Sequence, residues 1–121
     1  MEATAPFGAQ EAAVAEPVSI KILDLPVGGH GAQARAARIE RRTQELVAAL
    51  EESFPGQTTV EYFNLREHPG ERGCLAGQLL LAGRFPAPVV VVDGEVRIAG
   101  NVHVRLIVKA VGRVLLRRPP A

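Results

Sequence analysis

Four consecutive valines, Val89-Val90-Val91-Val92, read as a strand buried on both faces, because β-branched side chains pack well on a pleated surface. Asp93-Gly94 follows at once and predicts a type I′ hairpin turn, whose two central residues both need positive φ. Val96 and Ile98 then alternate with Glu95 and Arg97, as on a strand with one wet face. Pro88 stands just before the valines, where a proline opens a strand or fixes a turn. Upstream, Val18 to Leu25 alternates apolar and polar for its first five residues, and Pro26 ends it. From Ala32 the period becomes helical. Ala36, Ile39, Thr43, Leu46, Val47 and Leu50 predict one buried stripe, with Arg41 and Glu45 supporting the exposed side. Phe54-Pro55-Gly56-Gln57 stops that helix. Val60 to Leu65 predicts a second strand with Val60 and Tyr62 on one face, broken by His68-Pro69-Gly70. Residues 70–82 predict a short helix through Leu75, Leu79 and Leu80, weakened by Gly73 and Gly77 and ended by Gly83. Asn101 is placed to cap a last helix with a core stripe of Val104, Ile107, Val111, Val114 and Leu115. The predicted order is β-α-β-α-β-β-α, without an internal repeat.

Length and composition narrow this picture. A chain of 121 residues makes one domain. It is 47% apolar, with no tryptophan and one tyrosine, so the core is built from Val, Leu, Ile and Ala. Residues 1–17 are rich in Ala, Glu and Pro without a period and are expected to form a flexible tail, leaving 18–116 as the domain and 117–121 as a C-terminal tail. The formal charge of +1 argues against non-specific nucleic-acid binding. No run of about 18 apolar residues offers a membrane span. Glu2, Glu11 and Glu16 make the start a poor signal peptide. The single cysteine, Cys74, excludes an internal disulfide and a cysteine-rich metal centre, and suits a reducing, cytoplasmic setting.

The element order is that of thioredoxin and glutaredoxin, a βαβ half followed by a ββα half around a four-stranded mixed sheet flanked by helices. Counted back from Gly94, Pro88 stands where that family carries its cis-proline. The long first helix ending in Ser53-Phe54-Pro55-Gly56-Gln57, followed by Val60-Glu61-Tyr62-Phe63-Asn64-Leu65, resembles the small YuzD-like disulfide oxidoreductase family over residues 18–116. The resemblance implies a thioredoxin-like α/β fold and a cis bond before Pro88. It also implies a Cys-x-x-Cys pair between the first strand and first helix, where a helix N-terminus lowers the attacking thiol's pKa. Here the window from Asp24 to Ala34 has no cysteine, serine or threonine. The dithiol reaction is therefore unavailable, and fold likeness does not carry function once the site is gone.

The candidate binding residues follow from that frame. Gly28-Gly29-His30-Gly31 lies where a helix starts, so free backbone N–H groups there could hold an anion, with the His30 imidazole as a further donor. The alternative is a plain connector. Ala87 and Pro88, by the resemblance, face that loop and complete a peptide-binding ledge. Cys74 is the one candidate for catalysis, a monothiol in the second helix with Arg72 nearby; the plainer expectation is a buried, inert thiol. Arg105, Lys109, Arg113 and Arg117 recur every fourth residue and either meet an acidic partner or complement the helix C-terminal dipole. His68 and His103 fall at element boundaries without metal-ligand spacing. The expectation is a non-catalytic module that binds a protein or peptide without a cofactor, membrane or nucleic acid, with self-association left open. A Cys74 monothiol enzyme and an electrostatic adaptor using the last helix are the alternatives.

Overall fold

The computed structural model describes residues 16–118. Strand β1 (Val18–Asp24) is followed by helix α1 (Ala32–Ser53), strand β2 (Thr58–Asn64), the single turn α2 (Pro69–Arg72) and helix α3 (Leu75–Leu81). The hairpin of β3 (Val89–Val92) and β4 (Glu95–Ala99) leads into α4 (Val104–Arg117). The four strands form one mixed sheet in the order β2-β1-β3-β4. β1 runs parallel to β2 and antiparallel to β3, and β3 is antiparallel to β4. The expected α/β layout, a four-stranded mixed sheet flanked by helices, is the one observed. The expected tails at 1–17 and 117–121 fall largely on residues 1–15 and 119–121, which lie outside the described residues.

The valine run is buried along its whole length because each face of the sheet has its own cover. Val90 and Val92 join Val18, Ile20 and Ile22 of β1 beneath Ile39, Leu46 and Leu50 of α1 and Ile107 and Val111 of α4. Val89 and Val91 join Leu23 on the opposite face, under Ala76 and Leu80 of α3. Each such side chain contributes roughly 1.5–3 kcal/mol when fully buried. Asp93 and Gly94 both take positive φ, 48° and 86°, as the I′ turn requires. The Ala87–Pro88 peptide bond is cis, as the resemblance implies.

Three local expectations are corrected. The helix expected over 70–82 splits at Gly73 and Cys74, because Cys74 takes an extended conformation as the N-cap of α3 and its sulfur accepts the Gly77 N–H at 3.3 Å. Glycine at 73 favours the break. The cap of α4 is His103 and not Asn101. The helix starts at Val104, so only residue 103 stands next to its first turn, and Nδ1 accepts the Leu106 N–H at 3.4 Å. On α1, Ile39, Leu46 and Leu50 are buried, whereas Ala36 and Val47 at the margins of the stripe are exposed. The helix pair on its outer side is Arg42 with Glu45 at 4.0 Å.

Candidate functional site

β1 ends on Asp24, a carboxylate only 1% exposed. Unpaired burial of that charge would cost several kcal/mol. Four donors meet it instead. Arg35, in the first turns of α1, forks onto it with Nη2 to Oδ1 at 2.8 Å and Nη1 to Oδ2 at 3.2 Å. The hydroxyl of Tyr62 on β2 donates to Oδ2 at 2.7 Å, and the Leu25 N–H donates to Oδ1 at 2.9 Å. The parallel register makes the Tyr62 contact possible, since Ile22 pairs with Tyr62 and Asp24 with Asn64.

The electrostatics follow from these contacts. Burial pushes the Asp24 carboxyl up, but hydrogen bonds from Arg35 and Tyr62, the charge of Arg35 and the Leu25 amide together hold it below the usual carboxylate range. Burial, then the hydrogen bond to Asp24, pushes the Tyr62 phenol well above its ordinary value. The hydrogen bond to Asp24 raises the Arg35 guanidinium further. Asp24 is thus ionised with its oxygens occupied, and the phenol and guanidinium stay protonated. Such a set positions α1 and β2 around the end of β1. It has no free base or nucleophile to offer.

This cluster sits beside an open cavity of about 390 Å³ between α1 and β2. Pro26, Val27, Ala36, Ile39 and the Thr43 side chain supply much of its lining, with Glu40 and Gln44 among the polar groups and Tyr62 on the strand side. β2 is the edge strand of the sheet, paired with β1 on one side only. A concave, mainly apolar site with a few placed polar groups is the ordinary form of a binding site.

The candidate binding residues singled out from sequence do not line this groove. Gly28, Gly29, His30 and Gly31 form an exposed loop between β1 and α1, and none of the four lines the cavity. Ala87 and Pro88 line a separate recess of about 60 Å³ with Arg38, Arg42, Asn101 and Val102. Arg35 and Ile39 border both spaces, so the start of α1 stands between them. The Pro88 carbonyl accepts the Gly100 N–H at 2.8 Å. Neither of these two spaces is lined by both Pro88 and the glycine loop.

Cys74 corrects the expectation of a buried thiol: it is exposed. The reason is its place at the N-cap, outside the apolar stripe of Ala76 and Leu80. Its S–H donates to the Glu71 carbonyl at 3.0 Å. Arg72, the expected cationic neighbour, donates instead to the carbonyls of Leu65 and Arg66. The thiol opens on a cavity of about 480 Å³ on the other face of the sheet, where Lys21 pairs with Glu71 at 3.2 Å. His68 stacks edge-on to Phe63 with ring centroids 5.3 Å apart.

Sequence reasoning missed the Asp24–Arg35–Tyr62 cluster. The available signal was a lone carboxylate following Ile22 and Leu23 at the end of a strand, in a chain with a single tyrosine.

No protein-family model matches the chain, and no curated protein matches it. Solved structures do. A Staphylococcus aureus protein of unknown function superposes with a TM-score of 0.63 at 10% identity, over 85% of this chain and 95% of that one. What the two share is a fold. An arsenical resistance operon trans-acting repressor from Bacteroides vulgatus aligns over 71% of this chain and 81% of its own, at 18% identity and a TM-score of 0.40. Among the described residues, no helix is long and apolar enough to cross a membrane.

Proposed function

We propose that this chain is a thioredoxin-like binding module without dithiol chemistry, and that it holds an extended segment of a partner polypeptide between α1 and the edge of β2. One observation carries the reading: the 390 Å³ apolar groove opens directly beside an edge strand. An extended peptide added to such an edge gains main-chain hydrogen bonds, and its alternate side chains enter the adjoining groove. β2 is suited to this, since its seven residues pair with β1 in unbroken register. The outer strand on the other side, β4, carries a bulge, a device that protects an edge. The Asp24 cluster fixes the groove by tying α1 and β2 to β1.

Selection from a random peptide library, with amide shift mapping of the peptides recovered, tests the proposal. The expected shifts fall on Thr58–Asn64 and on residues 36–44. Ala36→Arg, at an exposed groove position, should abolish binding without lowering the melting temperature. Failure to select any peptide overturns the reading. Shifts at Ala87, Pro88 and residues 28–31 would move the site to the proline ledge.

The monothiol alternative has the exposure of Cys74 in its favour. Release of a mixed disulfide ordinarily uses a second thiol, which this chain lacks. No insulin reduction above the dithiothreitol background is expected, and a Cys74-dependent rate would restore the enzyme reading.

A further inference from the structure

We propose that the groove between β4 and α4 docks an acidic, extended segment of a partner protein, at the edge of the sheet opposite to the β2 groove. α4 carries Arg105, Lys109, Arg113 and Arg117 and no carboxylate. Three of these, Lys109, Arg113 and Arg117, line a groove of about 300 Å³ together with Arg97 of β4. Ile98, Leu106 and Ala110 give it an apolar lining. Like charges four residues apart on a helix repel one another. Among the described residues, Lys109, Arg113 and Arg117 form no ion pair that would relieve this, whereas the flanking Arg97 and Arg118 pair with Glu95 at 2.5 Å and Asp93 at 2.9 Å. The helix tolerates the repulsion because its other side, with Ile107 and Val111, is locked into the core.

The strand contributes by an irregularity. Val90 pairs with Ile98 and Val91 with Val96, so Arg97 is the extra residue of a bulge. In a regular strand neighbours point to opposite faces, yet Arg97 and Ile98 border the same groove. Bulges re-aim side chains in this way. The bulge also interrupts the strand ladder, so recognition here runs through side-chain charge.

Spacing selects the ligand. Cations four residues apart on a helix repeat about every 6 Å along its axis. Alternate side chains of an extended chain repeat about every 6.7 Å. A segment with acidic residues at every second position therefore matches Lys109, Arg113 and Arg117 in turn, while its intervening residues point away from α4. No aromatic side chain lines the groove for base stacking, and a net charge of +1 gives no broad field for a nucleic-acid backbone.

The probe is a synthetic Glu-Val-Glu-Val-Glu-Val peptide, titrated into the full chain with amide shift mapping. It should shift Arg97 and residues 106–117, and its affinity should fall about tenfold as salt rises from about 50 to about 300 mM. Lys109→Glu with Arg113→Glu should abolish binding of this peptide and confer binding of Lys-Val-Lys-Val-Lys-Val. Lys109→Gln with Arg113→Gln keeps the test open should the reversal unfold the chain, and should weaken binding at least about tenfold. Arg105→Glu, on the same helix outside the groove, should change it little. Equal loss with Arg105→Glu would reduce the effect to helix charge and overturn the proposal. So would shifts confined to the β2 groove, an absence of binding, or binding of oligothymidylate or phosphatidylserine vesicles in preference to the acidic peptide.

Discussion

Tyr62 donates its hydroxyl to Asp24 across 2.7 Å, joining residues 38 positions apart on two neighbouring parallel strands. With Arg35 on the same carboxylate, one buried charge ties an edge strand and the longest helix to the end of β1. All three residues border the groove between α1 and β2.

Asp24→Asn should destabilise the chain at neutral pH by about 2–3 kcal/mol, because Arg35 loses its charge partner. The folded-state pKa lies below the unfolded one, so the carboxylate stabilises the fold above the unfolded value of 3.8 and loses that contribution as pH falls through the folded value. The difference between wild type and variant should therefore shrink below about pH 4. Urea denaturation at neutral and acid pH checks this, and a pH-independent difference would count against it.

Tyr62→Phe should cost less, about 1 kcal/mol, since three donors remain on Asp24. In the wild type the phenol should ionise well above pH 10, because burial and its hydrogen bond raise its pKa. A group whose folded pKa is raised contributes fully below the unfolded value and loses its contribution as pH rises beyond it. The ultraviolet absorbance titration of the single tyrosine reads this directly. Half-ionisation near pH 10 would mean that the Asp24 contact is absent.

Gly77→Ala should lower stability by roughly 1–3 kcal/mol, though alanine is the better helix former. A Cβ at Gly77 would fall on the Glu71 carbonyl oxygen and stand 3.2 Å from the Arg72 Cα. Both are backbone atoms and cannot swing aside. Thermal melting distinguishes the outcomes: a variant as stable as wild type would show that α2 and α3 do not approach so closely.

Cys74→Ala should cost about 1 kcal/mol and Cys74→Ser nearly nothing. The sulfur caps α3 by accepting from Gly77, and a serine oxygen can take over that role. Equal melting temperatures for the two variants would deny the cap. Because the thiol is exposed, it should also react with a thiol reagent without prior unfolding.

The period of the chain determined its elements. The valine run, the Asp93-Gly94 turn and the three-and-four spacing after Ala32 each act within a few residues, where backbone sterics and side-chain periodicity suffice. The want of a second thiol was equally plain from the residues alone. Tertiary structure decided the rest. Whether Asp24 meets Tyr62 depends on the register of β1 against β2, and whether it meets Arg35 depends on how α1 crosses the sheet. Cys74 is exposed because a helix break made it a cap, while Arg97 joins the α4 cations through a bulge. Pro88 lines a recess apart from the Asp24 groove, because the arginine-bearing start of α1 borders both. Local pattern carries no record of such meetings, because each depends on segments brought together only when the sheet is assembled.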